Sequence, residues 1–191
     1  GWVRVSGRTG GYGVVAGDVV VKNNIDVGGY TTGSYSECTF VVDGDLTLTG
    51  ELQMRKNSVV IVTGNLTCGK LFMKDGARLY VKGNITANDM SYDGDSNQKI
   101  YCGGNAIIPH NLDSTREFKI GGNLEAHELY LNYTNYYFGG SVKCTKFNAE
   151  YSDMNLIFDS FECSGTTTLN NRTSLTVNGN AKTDAINMYN D

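Results

Sequence analysis

The feature that most limits what this chain can fold into is a recurring dipeptide. Gly-Asn, Gly-Asp or Gly-Ser returns at Gly17, Gly44, Gly64, Gly83, Gly104, Gly122, Gly140 and Gly179, and Asp159 holds the same place in a degenerate copy. The intervals are 27, 20, 19, 21, 18, 18, 19 and 20 residues. A period near 19 residues, kept through most of the chain, marks a solenoid. One such unit cannot bury its own apolar face; a stacked neighbour does that.

Fixed offsets from the anchor give the strands. Two residues on stand Val19, Leu46, Leu66, Ile85, Ala106, Leu124, Val142, Phe161 and Ala181. Four residues on stand Val21, Leu48, Cys68, Ala87, Ile108, Ala126, Cys144, Cys163 and Thr183. Apolar or small residues two apart point one way from an extended strand. A second strand precedes the anchor, as in Val60/Val62, Leu79/Val81 and Phe118/Ile120, and a third follows, as in Leu71/Met73 and Phe147/Ala149. The chain has 24 Gly, 12 Tyr and a single Pro, which suits regular tight turns between strands. No amphipathic helix is evident.

The expected fold is all-β: a single-stranded parallel β-helix, or β-solenoid, of about nine triangular coils. One domain spans residues 1–191, with 1–16 as an irregular N-terminal segment or cap and 17–188 as coils. An antiparallel sandwich would need hairpins and would not hold residue types at constant offsets. The segment from Tyr30 to Glu37 reads as an insertion, and Asp93 to Asn97 lengthens another coil. Near Asp159 the alternation Met154, Leu156, Phe158 is one residue out of phase, so a bulge is expected there.

The position after the anchor holds Asn65, Asn84, Asn105, Asn123 and Asn180, with Asp18, Asp45, Ser141 and Ser160 in the other copies. Side-chain amides stacked one coil apart are expected to hydrogen-bond up this column as a structural ladder. The same column explains the sequons at Asn65 and Asn84, since the fold itself asks for Gly-Asn-apolar-Thr. Further sequons stand at Asn132 and Asn171.

The chemistry-bearing residues are sparse. The five cysteines form no CxxC pair, and only two histidines occur, so no metal site is expected. Cys68, Cys102, Cys144 and Cys163 fall at inward offsets and read as buried free thiols; a Cys144–Cys163 disulfide is the lesser reading. Asp93-Gly-Asp95-Ser-Asn97 opens like a calcium loop, but Gln98 stands at the sixth place and Gly104 at the twelfth, so it reads as a polar turn. His110 and His127 have no nucleophile in register, and no inter-coil carboxylate cluster emerges. No catalytic residue and no cofactor is expected. A net charge of -4 argues against a nucleic-acid partner, and no apolar run reaches the about 18 residues of a membrane span.

One outward column stands apart. Three residues before the anchor the side chain must point to solvent, yet the column reads Val14, Val41, Ile61, Tyr80, Tyr101, Lys119, Tyr137 and Thr176. The outward column after the anchor is mostly polar by comparison, with Thr47, Thr67, Thr86, Glu125 and Lys143. Ile61, Tyr80, Tyr101, Lys119 and Tyr137 are therefore the candidate contact face. The competing reading is that β-branched and tyrosine side chains simply suit strands.

The Gly-Asn-anchored coils with paired inward residues resemble the bactofilins, parallel right-handed β-helices that polymerise end to end, and also the β-helical adhesins of bacterial surfaces. The resemblance covers residues 17–188 and rests on periodicity. It implies a right-handed coil and a structural or surface-binding role outside enzymology, with a lean to the cell surface. Two functions are expected to compete: a scaffold that self-associates through coil ends, and a module that presents the tyrosine column to a protein or glycan. A polysaccharide-binding or polysaccharide-cleaving β-helix is a further alternative.

Overall fold

In a computed structural model, residues 1–6, 11–28, 30–31, 34–35, 37–93, 97–112, 117–131, 136–149, 154–170 and 172–189 are described. The regular elements among them are β-strands, wound into a β-solenoid of about eight turns. Each turn contributes strand segments to three faces. The first face stacks Gly11–Ala16, Cys38–Asp43, Val59–Val62, Arg78–Val81, Lys99–Cys102, Glu117–Ile120 and Tyr136–Phe138 as one parallel sheet, and Met154–Phe158 with Thr173–Val177 as a second. Those are nine strands, which accounts for the expected nine coils.

The second face follows the anchor. Its inward column, Val19, Leu46, Leu66, Ile85, Ala106, Leu124, Val142, Phe161 and Ala181, is paired rung by rung in one unbroken parallel register. The third face carries Leu52/Met54, Leu71/Met73 and Phe147/Ala149 inward, all buried. In four rungs the second and third strands merge into a single long strand: Leu66–Lys74, Ile85–Asp93, Phe161–Asn170 and Ala181–Tyr189. The expected three short strands thus become two in those rungs, because the corner between these faces bends without ending the strand: Leu66–Lys74 and Ile85–Asp93 keep one register through it, while Phe161–Asn170 and Ala181–Tyr189 slip by one residue.

The core is a single apolar column inside the coil. Toward the C-terminal half it fills with rings. Phe147, Phe158 and Phe161 pack with centroids 5.3 to 6.1 Å apart. All five cysteines are free and buried. Cys144 sits directly opposite Cys163, one rung apart. Burial pushes the Cys68 thiol up to about 12 and raises that of Cys144 as well, so both stay protonated.

Three expectations change. Residues 1–16 are expected as an irregular N-terminal segment or cap, but the two described strands within them stack on the coil. Trp2–Val5 pairs in parallel with Asn24–Val27 on the third face, and Gly11–Ala16 pairs with Cys38–Asp43 on the first. The pattern is hard to see there because Gly11 and Gly13 stand where the next rung has the inward Cys38 and Phe40.

The bulge expected at Met154–Phe158 is absent: that strand matches Thr173–Val177 residue for residue. The phase slips at the corners instead. Phe158 aligns with Val177 and Phe161 with Ala181, so the corner after Phe158 is one residue shorter than the next rung's. The residue is returned at the following corner, where the register shifts between Cys163 and Thr166.

The ladder also works differently. The amides tie the rungs mainly through the backbone rather than through one another, with Asn65 Nδ2 to Asp45 Oδ1 at 3.2 Å and Ser160 Oγ to Ser141 Oγ at 2.7 Å as side-chain bonds in the same column. The Asn side-chain oxygens accept the backbone N–H of the next rung's ladder residue: Asn65 Oδ1 from Asn84 at 2.8 Å, Asn84 Oδ1 from Asn105 at 2.8 Å, and Asn105 Oδ1 from Asn123 at 2.8 Å. The run starts at Asp18, whose Oδ1 accepts from Asp45 N–H at 2.8 Å, and Asn123 Oδ1 accepts from Ser141 N–H at 2.9 Å. Only an acceptor is needed, which is why Asp substitutes for Asn. Asn180 takes part through its backbone carbonyl, which accepts from Phe161 N–H at 3.0 Å.

The ladder explains the anchor glycine. A Cβ built on Gly104 would lie 2.3 Å from Asn84 Oδ1, and one on Gly122 would lie 2.3 Å from Asn105 Oδ1. The oxygen that ties the rungs together occupies the space a side chain would need. Where the ladder residue below is the shorter Ser141, the anchor is free to be Asp159.

The insertion from Tyr30 to Glu37 is present as a short antiparallel pair, Tyr30–Thr31 with Ser34–Tyr35. The lengthened turn from Asp93 to Asn97, with its calcium-like spacing, lies largely outside the described residues, as do the sequons at Asn132 and Asn171.

Candidate binding face

The outward column of the first face is continuous. Val14, Val41, Ile61, Tyr80, Tyr101, Lys119 and Tyr137 are partnered rung to rung without a register shift. Thr176, expected in the same column, lies in the separate Met154–Phe158/Thr173–Val177 pair.

The rings do not all face solvent. Tyr80 and Tyr101 stack with centroids 4.9 Å apart and planes 2° from parallel. Lys119 Nζ sits 5.4 Å from the Tyr101 centroid. The column is thus a pile of tyrosine, tyrosine and ammonium that shows ring edges to the outside. Tyr137, at its far end, is 59% exposed.

Beside Tyr101 the structure assembles a cluster in which Lys99 and Glu117, outside the candidate column, take part. Tyr101 Oη donates to Glu117 Oε1 at 2.5 Å, and Glu117 also receives Lys119 Nζ at 3.1 Å and Lys99 Nζ at 3.4 Å. Burial and the hydrogen bond to Glu117 push the Tyr101 hydroxyl up to about 12. Burial alone would raise Glu117, but the bonds from Tyr101, Lys119 and Lys99 outweigh it and hold the carboxylate below its usual range. The signal was there in the sequence: Lys99 and Glu117 occupy the same offset in successive coils. A similar trio, Tyr130 with Glu128 and Lys146, forms on the third face. The trio thus recurs away from the first face, and the column with its groove is what sets that face apart.

That groove is open, has a volume of about 510 Å³, and is lined almost wholly by apolar atoms. Its wall is Ile61, Tyr80, Tyr101 and Tyr137. Its floor is bare backbone at Gly103 and Gly121. A Cβ on either would lie 2.3 to 2.5 Å from the carbonyl oxygen of the rung below, so the floor stays empty of side chains. A second groove of about 330 Å³ on the second face is lined by alternating charges, Glu125, Lys143 and Glu162.

The two histidines lie at the corner between the second and third faces. His110 Nδ1 meets Asp89 Oδ1 at 2.7 Å. His127 Nδ1 lies 3.1 Å from Thr145 Oγ1, so a hydroxyl does stand in register with it, contrary to expectation. That hydroxyl donates to the His127 backbone carbonyl at 2.7 Å. Among the described residues no group of three or more His, Cys, Asp or Glu side chains gathers to hold a metal ion, and no helix is long and apolar enough to cross a membrane. Comparison with family models, curated proteins and solved structures found no match.

Proposed function

We propose that this β-solenoid is a non-enzymatic binding module that presents the groove of its first face to a partner, as an adhesin-like surface module would. The observation that carries the reading is the unbroken outward column Ile61–Tyr80–Tyr101–Lys119–Tyr137 beside a glycine floor. A solvated face has no need of an apolar groove there. The test is an array of glycans and proteins probed with the native chain and with a Tyr80→Ser/Tyr101→Ser/Tyr137→Ser variant that retains its β circular dichroism. Binding that the triple substitution abolishes supports the module. Signals indifferent to it sink the reading.

A second reading, a self-assembling scaffold in the manner of bactofilins, is favoured by a different observation. The outermost described rungs expose large apolar side chains: Trp2 and Val3 on one, Ile186, Met188 and Tyr189 on the other. Sedimentation across a wide concentration range tests it. Association that Met188→Glu reduces supports the scaffold; a monomer throughout removes it.

A further inference from the structure

We infer that the ligand of the first-face groove is an acidic polysaccharide, a chain of sugar rings bearing carboxylates, lying along the solenoid axis. This inference rests on the binding-module reading above. Its first support is charge. From Thr39 to Tyr137 the outward side chains of the first face include Arg78, Lys82, Lys99 and Lys119, against Asp43 and Glu117. A chain of net charge -4 thus gathers a cationic surplus around this groove. Lys82 and Lys119 line the groove itself, and both are exposed. Glu117 is already engaged by Lys99, Lys119 and Tyr101, so it presents little free negative charge to a ligand.

The second support is the way the rings lie. Tyr80 and Tyr101 spend their faces on each other, and Lys119 covers the next. Ring edges, which carry the positive part of the aromatic quadrupole, border the groove. That arrangement attracts anions, and of Tyr80, Tyr101 and Tyr137 only the last is left exposed enough to offer a ring face, too few for the run of stacked bases that single strands need. An acidic peptide is disfavoured for another reason. The strands cross the axis, and their N–H and C=O groups are paired rung to rung, so a peptide lying along the groove finds no open sheet edge to join. A sugar chain carries its own hydroxyl rim, which water satisfies on the outer side, and can lay its C–H faces on the apolar groove while its carboxylates reach Lys82 and Lys119.

Affinity electrophoresis of the whole chain in gels containing polygalacturonate tests this, with dextran as the neutral glycan and poly-glutamate and oligo-thymidine as the other polyanions. Retardation by polygalacturonate alone is expected. Lys82→Ala/Lys119→Ala should weaken it by about tenfold, while Lys143→Ala/Lys182→Ala on the second face, the same loss of charge, should leave it unchanged. Added salt should weaken it as well. Equal retardation by poly-glutamate or oligo-thymidine, or equal effects of the two double variants, would overturn the inference. So would an absence of retardation by polygalacturonate. Tyrosine-dependent binding to dextran or to a protein on the array would overturn the acidic-glycan assignment and leave the module intact; no tyrosine-dependent binding to anything would overturn both.

Discussion

Two pairs of residues on the third face differ only in their neighbours. Leu71 and Met73 stand in the middle of the stack, and Ile186 and Met188 occupy the same offset in the outermost described rung. The first two are fully buried, while Ile186 is 60% and Met188 68% exposed. The residue types are similar and the strands equally regular. In a solenoid the coil that carries an apolar side chain does not bury it; the coils above and below do. Position along the axis therefore decides the energetic weight of an otherwise equivalent residue.

The largest effect expected on this contrast is a buried charge. Leu66→Asp, at a fully buried site in the middle, puts an unpaired carboxylate in the core and should cost about 4 kcal/mol or more, enough to abolish the β signal in circular dichroism. Met188→Asp should leave the melting curve nearly unmoved. If both variants melt alike, burial does not vary along the axis as described.

Truncation sharpens the same comparison. Leu71→Ala should destabilise by about 2 to 5 kcal/mol in urea titration. Ile186→Ala should fall within about 0.5 kcal/mol of the parent. A large loss at Ile186 would mean that something covers that rung in solution.

A smaller effect is expected in the ladder. Asn84→Ala leaves the exposed Asn105 N–H to water and should cost about 0.5 to 1.5 kcal/mol, whereas Asn84→Asp keeps the acceptor and should cost less. Asn180→Ala, beyond the run of side-chain bonds, should be close to neutral. Gly104→Ala should be more harmful than any of these, and Asn84→Ser should relieve part of that harm, as Ser141 does beneath Asp159. A strictly additive pair would refute the coupling of anchor and ladder.

The smallest effects concern titration. The raised Tyr101 hydroxyl favours the folded state at pH values below the ordinary tyrosine range near 10, and this contribution disappears as pH climbs through about 12. Glu117, held low, has the opposite sense: its contribution is present above the ordinary carboxylate range and is lost as pH falls through its depressed value. Absorbance titration of Tyr101→Phe against the parent should remove one late-ionising tyrosine. A parent whose tyrosines all ionise near pH 10 would dissolve the Tyr101–Glu117 cluster. The thiols give a parallel readout: few should react natively and five after denaturation.

Much of this architecture was legible in the sequence. The inward columns and the outward Tyr80/Tyr101/Tyr137 column could be read from offsets alone, because strand alternation and a constant period are local facts repeated many times. The strand at Gly11–Ala16 is not legible in the same way, because Gly11 and Gly13 erase the alternation there. The phase slip near Asp159 was seen but placed in a strand, since a short corner and a bulge leave the same trace in a count of residues.

The sequence by itself determined the period, the inward side of each strand and the Gly-Asn anchor, since each depends on neighbours a few residues away along the chain. Only the tertiary structure decided that asparagine oxygens reach backbone N–H groups, that Tyr80 and Tyr101 close on each other, and that Glu117 gathers Tyr101, Lys99 and Lys119. Those outcomes depend on which way a side chain leans toward the rung above or below. That lean is set by packing across a spacing of about 4.8 Å between coils, and a list of offsets carries no record of it.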